Sequence, residues 1–272
     1  MKIFALLLVV IATANCAELR CTYKTLDFVR PYYECDGRVT TSASDFEVST
    51  VQGDHEEGKG MNDIIGVVIR DCSLEKMPRK LGVWFRNFRE FGLFDIQNFP
   101  NFQRVDFSEY RQLRVFRAKN LRQVTRVPKD TFFDLTALEE LYLDNMVNME
   151  NLDGDLLMNL RGLRVFSAQG PNKIKQISRG FFDNQSRTLS EINFQRTNLK
   201  RITYTIFNLR DLTSANFVGA GCLDKWYQTP NMPETLFDDI RNKCQDTTNT
   251  RALTRANYIV MNESSSSESS SD

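Results

Sequence analysis

The stretch Phe132-Phe133-Asp134-Leu135-Thr136-Ala137-Leu138-Glu139-Glu140-Leu141-Tyr142-Leu143 decides the fold. After Phe132 its apolar residues Leu135, Leu138, Leu141 and Leu143 follow three, six, nine and eleven places on. The same spacing returns in Phe85-Phe88-Phe91-Phe94-Ile96, Phe107-Tyr110-Leu113-Phe116-Ala118, Leu157-Leu160-Leu163-Phe166-Ala168 and Ile206-Leu209-Leu212-Ala215-Phe217. Shorter copies, Met61-Ile64-Val67-Ile69 and Leu189-Ile192-Phe194, bring the series to seven. The last residue of each copy falls at 69, 96, 118, 143, 168, 194 and 217, giving steps of 27, 22, 25, 25, 26 and 23.

One such phrase means little in a chain that is 41% hydrophobic. Seven in series mean a great deal. A period in the twenties around an L-x-x-L-x-L core is the signature of leucine-rich repeats. The closing pair alternates in and out as a short strand, and the residues after it turn the chain behind that strand. A single repeat cannot bury its own hydrophobes, so neighbours stack and share one core. The expectation is an α/β-type solenoid of about seven repeats across 61–221, with a concave parallel sheet.

The flanks read differently. Residues 1–16 carry Lys2 and then an apolar run, Ile3 to Ile11, too short to span a membrane. They read as a secretory signal cut near Cys16–Ala17, and no later run of 18 apolar residues suggests a membrane anchor. Cys21 and Cys35 bracket an aromatic segment with a turn at Arg30-Pro31, read as a disulfide-closed hairpin in an N-terminal cap and loop over 17–60. Cys222 and Cys244 bracket a helix from Pro233 that presents Leu236, Phe237 and Ile240, read as a C-terminal cap over 222–245. The leftover Cys72 takes the N/C position of the first repeat and is expected as a buried free thiol. Residues 246–272 end in a Ser-rich acidic run that cannot build a core. Asn184 and Asn262 begin sequons, and Ser266 is a candidate phosphorylation site.

Taken together, a signal, a Cys hairpin with C-x-Y at its start, seven phenylalanine-rich repeats and a Cys-closed end resemble secreted insect leucine-rich repeat proteins. The resemblance covers residues 21–244 and implies an extracellular recognition role, with innate immunity among the expectations. The coiled coil of the mosquito immune subgroup has no counterpart after Cys244. After the strands this chain also departs from the consensus. Asn98, Asn120 and Asn145 stand one place early, Gly170 takes the same place in the next repeat, and the following apolar residue comes one place late.

Catalytic signals are weak. The sole histidine, His55, sits in Gly53-Asp54-His55-Glu56-Glu57-Gly58-Lys59-Gly60, where Lys59 replaces the second His of a zinc helix. The same stretch approaches a phosphate loop, but Gly60 replaces its Ser or Thr. No cysteines have zinc spacing, and acidic pairs such as Glu139-Glu140 and Asp238-Asp239 read as solvated. Lys plus Arg equal Asp plus Glu at 35 each, which lacks the basic excess of a nucleic-acid binder. No enzyme, cofactor or metal is expected.

The function expected is therefore binding of a protein ligand by the concave face. Strand alternation places Val68, Asp95, Arg117, Tyr142, Ser167, Asn193 and Asn216 in its middle column. Arg117, Lys119, Glu140, Tyr142 and Asp144 are the candidate binding residues, with Tyr142 as anchor beside Val115 and Val165. The competing reading makes Lys119 and Asp144 a cross-strand pair worth roughly 0.2–1 kcal/mol. Two other classes stay open: a matrix or secretion component with a phosphorylated, calcium-binding tail, and a binder of carbohydrate or microbial surfaces.

Overall fold

The structure is a computed structural model that describes residues 17–26, 32–39, 47–185, 187–203, 206–207, 209–229 and 232–244. The expected signal over 1–16, the expected turn at Arg30-Pro31, Asn262 and the expected tail lie outside them. In chain order come β1 (Ala17–Leu26), β2 (Tyr32–Val39), β3 (Val48–Gln52), β4 (Ile64–Arg70), α1 (Leu81–Trp84), β5 (Glu90–Phe94) and β6 (Val115–Lys119). Then follow β7 (Arg126–Val127), β8 (Glu140–Asp144), β9 (Asn151–Leu152), β10 (Val165–Ser167) and β11 (Gln176–Ile177). The last are β12 (Glu191–Asn193), β13 (Arg201–Ile202), β14 (Ser214–Asn216), β15 (Trp226–Gln228) and α2 (Met232–Lys243).

One 11-stranded sheet carries the molecule, in the order β15-β14-β12-β10-β8-β6-β5-β4-β2-β1-β3. Its seven central strands, β4 to β14, run parallel and belong one to each repeat. The chain is a leucine-rich-repeat solenoid. On the far side of the core the repeats are joined by turns, 3-10 segments and two small parallel pairs, β7 with β9 and β11 with β13.

The ladder corrects one phrase. Phe91 stands opposite Val67 and Phe116, and Leu93 opposite Ile69 and Ala118. The inward pair of the second repeat is therefore Phe91 and Leu93, three residues before the expected Phe94 and Ile96. The inward residues are then Ile69, Leu93, Ala118, Leu143, Ala168, Phe194 and Phe217, all fully buried. Their positions differ by 24, 25, 25, 25, 26 and 23, a tighter period than the sequence suggested.

Two places after each inward residue the backbone turns left-handed. Asp71, Asp95, Asn120, Asn145 and Arg196 have φ between 52° and 59°, and Gly170 and Gly219 have 88° and 69°. Most residues pay about 1–2 kcal/mol in that region, which Gly avoids and Asn or Asp tolerate. The turn lets the chain leave the sheet while its N–H still reaches the next repeat. Asp71, Asp95, Asn120, Asn145, Gly170 and Arg196 each donate to a carbonyl of the following repeat, those of Phe94, Lys119, Asp144, Gln169, Gln195 and Val218, at 2.7–3.2 Å. The early Asn residues are thus turn residues. Asp95, not Asn98, is the second repeat's member of the series, although Asn98 is left-handed too, at φ 60°.

Behind the sheet the core is aromatic in its N-terminal half. Phe107 packs against Phe116 and Phe132 at 5.1 Å each, and Phe102 meets Phe116 edge-on at 5.7 Å. Edge-on contacts suit the ring quadrupole, so stacked phenylalanines fill the repeats without a face-to-face penalty. Polar side chains also reach the core, Tyr110 and Gln185 among them. The Tyr110 hydroxyl donates to the Pro78 carbonyl. Gln185, in the place held by Leu160 one repeat earlier, donates its amide to the Leu157 and Leu160 carbonyls at 2.6 and 3.3 Å.

Both ends are covered. The β1–β2 hairpin pairs antiparallel and is bridged by Cys21–Cys35, while Trp84 donates its indole N–H to the Val48 carbonyl. At the other end β15 lies antiparallel on β14, and α2 begins at Met232, one residue before Pro233. Leu236 and Ile240 are buried, Phe237 packs on Phe207 at 4.8 Å, and Cys222–Cys244 ties the helix to the last repeat. Cys72 is free but half-buried rather than buried, because the first repeat is flanked by the hairpin instead of a full repeat.

The left-handed column gives a direct test. A Cβ at Gly170 would stand 1.8 Å from Asn145 Oδ1. Gly170→Ala should therefore destabilise the chain by more than about 1 kcal/mol. Arg196→Gly should stabilise it by about 1 kcal/mol, and Arg196→Val should do the opposite. Urea midpoints measure all three; equal midpoints for the two Arg196 variants would exclude strain there.

Candidate functional site

The solvent face of the sheet is fixed by the register of the inward pairs. Its middle column is Val68, Gly92, Arg117, Tyr142, Ser167, Asn193 and Asn216. Gly92 replaces the expected Asp95. The column before it is Gly66, Glu90, Val115, Glu140, Val165, Glu191 and Ser214, so Glu90 stands where Leu93 was expected. The third column has Phe94 opposite Lys119, in place of Gln97.

Around Arg117 these corrections change the chemistry. Its guanidinium bonds Glu90 at 2.7 Å, lies 3.8 Å from Glu140 and sits 5.4 Å above the Tyr142 ring. Tyr142 donates its hydroxyl to Glu140 Oε2 at 2.8 Å. Burial, and then the Glu140 carboxylate, push the Tyr142 hydroxyl well above its usual value. Arg117, Glu140 and Tyr142 are thus brought together as expected, with Glu90 as the member that sequence reasoning missed. A correct second-repeat phase would have found it. The cluster is half-buried and preorganised: its long side chains already hold one geometry, so little rotamer freedom is left to lose on contact with a ligand.

Lys119 and Asp144 are register partners, but they form no contact pair. Asp144 is only 9% exposed. It accepts from Ser167 Oγ at 2.6 Å, from the Gln169 N–H at 3.2 Å and from Gln169 Nε2 at 3.1 Å. Lys119 stays exposed and opposes the effect of burial only weakly. The cross-strand pair is therefore replaced by a bonded carboxylate that closes the next repeat's turn. Asp144 is not offered to a ligand.

The N-terminal end of the face is a charge network. Asp36 takes Lys24 at 2.8 Å and Arg70 at 2.6 Å, and Arg70 lies over the Phe94 ring. The C-terminal end is built of amides, with Asn193 Nδ2 donating to Gln169 Oε1 at 3.2 Å. Trp226, 54% exposed, stands opposite Asn216 on β15. The repeat pattern gave no sign of it, because β15 runs against the repeats.

The histidine stretch proves structural. His55 stacks on Tyr23 at 3.9 Å, and its Nδ1 lies 3.2 Å from the Tyr33 hydroxyl. The Glu56 N–H donates to the same hydroxyl, and Thr25 bonds the Glu56 carboxylate. These bonds strap the loop to the hairpin. Among the described residues no cluster of three or more His, Cys, Asp or Glu could hold a metal ion, and no helix is long and apolar enough to cross a membrane.

No protein-family profile and no curated protein matches the sequence. Solved structures are similar in shape. Two describe the Toll–Spatzle complex, a molecular hub in Drosophila development and innate immunity. One, in its glycosylated form, is 15% identical with a TM-score of 0.41 over 57% of this chain and 23% of that one. The other is 14% identical with a TM-score of 0.38 over 67% of this chain and 30% of that one. The chain thus spans less than a third of these neighbours, and its fold assignment rests on its own ladder.

Asp144 supplies a pH prediction. Burial raises its carboxyl above the usual value. The folded state then holds the proton after the unfolded state has lost it, so stability falls as pH rises from the ordinary carboxylate range through the folded value. Asp144→Asn lacks that ionisation. The variant's stability relative to the parent should therefore increase from pH 3 to pH 7, read from urea midpoints; a difference independent of pH would refute the assignment.

Proposed function

We propose that this chain is a secreted extracellular recognition protein that binds a protein partner through the solvent face of its sheet. The observation that carries the reading is the Arg117–Tyr142 cluster. A guanidinium is held over an aromatic ring between two carboxylates, beside half-buried Val165 and buried Val115. Tyr and Arg held in place are among the commonest binding hot spots. The apolar leader over 1–16, the two disulfides and the resemblance to secreted insect repeat proteins support secretion, and the resemblance supports a place in innate immunity. The reading is of a non-enzymatic module that needs no cofactor; among the described residues no metal-holding cluster argues otherwise.

Affinity capture from the source fluid, with the chain as bait, identifies the partner. Arg117→Ala with Tyr142→Ala should weaken its capture by more than about tenfold, roughly 1.4 kcal/mol, with secretion unchanged. Full retention by the double variant would move the site off this face.

The secretory reading also assigns a glycan to Asn184. Its side chain is exposed and has no hydrogen-bond partner among the described residues, whereas Asn159, its counterpart one repeat earlier, donates to the Phe133 carbonyl at 3.2 Å. The buried Gln185 beside it anchors the turn, leaving the Asn184 amide in solvent. Secreted protein should lose a glycan mass from the Asn184 peptide on treatment with an amidase for N-linked sugars; an unmodified peptide would refute it.

A further inference from the structure

The C-terminal third of the solvent face differs from the Arg117 cluster in kind. Its floor is made of uncharged amides and hydroxyls: Ser167, Asn193 and Asn216 in the middle column, with Gln195 and Ser214 beside them. Glu191 at the rim is the one carboxylate in these columns. At the far edge stands Trp226, and its presentation is built. β15 pairs antiparallel with β14, placing Tyr227 opposite the inward Ala215 and Trp226 opposite the outward Asn216. Tyr227 is buried and donates its hydroxyl to Asp239 of α2, which locks the strand's facing. The Trp226 indole N–H donates to Ser214 Oγ at 3.0 Å, which restrains the ring while the residue stays exposed.

The amides around that ring are only partly used. Asn216 Oδ1 accepts the Val218 N–H at 3.1 Å, and Asn193 Oδ1 accepts the Gln195 N–H at 3.0 Å. Asn216 Nδ2 and the side-chain amides of Gln195 and Gln228 have no partner among the described residues. Each free amide offers donors and acceptors without net charge. An acidic or basic partner could bond these amides but gains no opposite charge from them. A partner whose hydroxyls both donate and accept, and whose ring carries an apolar C–H face, uses all of it. The amides meet the hydroxyls, and the indole meets the C–H face with its large apolar body.

We propose that Trp226, Asn216, Gln195 and Gln228 form a subsite for a neutral oligosaccharide at the C-terminal end of the sheet. It is separate from the Arg117–Tyr142 cluster. Four strand steps from β8 to β15, at about 4.8 Å each, set the two aromatics roughly 19 Å apart. The site rests on presentation rather than on a deep cavity, so it takes an extended chain lying across the strands. Affinity then comes from stacking and a few hydrogen bonds, and is modest for one copy.

The chain supplies its own reporter, because Trp84 and Trp226 are its two tryptophans. The full-length protein is titrated with cellohexaose and with chitohexaose, neutral β-linked hexasaccharides of glucose and of N-acetylglucosamine. Emission is followed in the parent and in Trp84→Phe, where Trp226 alone reports, and calorimetry repeats the titration without a fluorophore. At least one sugar should give a saturable change in both proteins. Trp226→Ala should weaken binding about tenfold or more by calorimetry, whereas Trp226→Phe should keep most of it. Circular dichroism confirms that each variant is folded. Failure of both sugars to bind the folded parent overturns the proposal, as does binding unchanged in Trp226→Ala. Loss of a captured protein partner in Trp226→Ala, without oligosaccharide binding, would assign the surface to protein instead. The oligosaccharide titrations are independent of the capture test on Arg117 and Tyr142, so the two readings fail separately.

Discussion

Everything in this chain depends on one backbone hydrogen bond, repeated. After each inward residue but the last the main chain leaves the sheet, yet the N–H two places on still reaches the following repeat. Only a left-handed residue does both. At the last turn the Gly219 N–H donates to Asp224 Oδ1 instead. Gly170 and Gly219 adopt that shape freely, Asp71, Asp95, Asn120 and Asn145 tolerate it, and Arg196 bears the strain. The apolar residues behind the sheet contribute most of the stabilising free energy, but hydrophobic burial is non-directional. The ladder sets the phase in which those residues meet.

That division explains what could be read from the sequence. The solenoid was legible because the inward positions recur and each must be apolar. The phase of the second repeat was not, since Phe85, Phe88, Phe91 and Phe94 are evenly spaced by three and the phrase slides along them. The turn signal does not break the tie. Asp95 follows Leu93 by two and Asn98 follows Ile96 by two, and both are left-handed. Pairing with β4 and β6 decides it, and pairing is a long-range property. A slip of three exchanges inward for outward residues, which is why Glu90 was missed and Leu93 was placed on the wrong face.

The candidate site was legible to the same degree. Arg117 and Tyr142 lie on neighbouring strands at equivalent places, so alternation alone brings them together. Asp144 failed because a column position says nothing about depth. The short strand β10 ends beside it, and the turn at Gln169 uses its carboxylate, so a residue expected at the surface closes the core instead. Trp226 lies beyond the reach of any repeat argument. Its outward facing comes from an antiparallel strand and from Tyr227 being claimed by α2.

A solenoid is quasi-one-dimensional, and each repeat contacts only its neighbours. The two ends of one face can therefore carry different chemistry without conflict. At the N-terminal end the charges of Asp36, Lys24 and Arg70 answer one another across strands, as do those of Glu90 and Arg117. Ion pairs of this kind fix side chains without presenting a net field. From β10 onward the middle column holds only hydroxyl and amide groups, and side-chain bonds run from strand to strand through Gln169 and Asn193. An amide satisfied on one side retains capacity on the other, whereas the carboxylates of the charged half already face cations. The charged half is therefore self-complementary, its pairs already closed around Tyr142. The amide half keeps donors and acceptors without a partner among the described residues, beside the exposed Trp226 ring, and these are the groups the proposed oligosaccharide subsite would use.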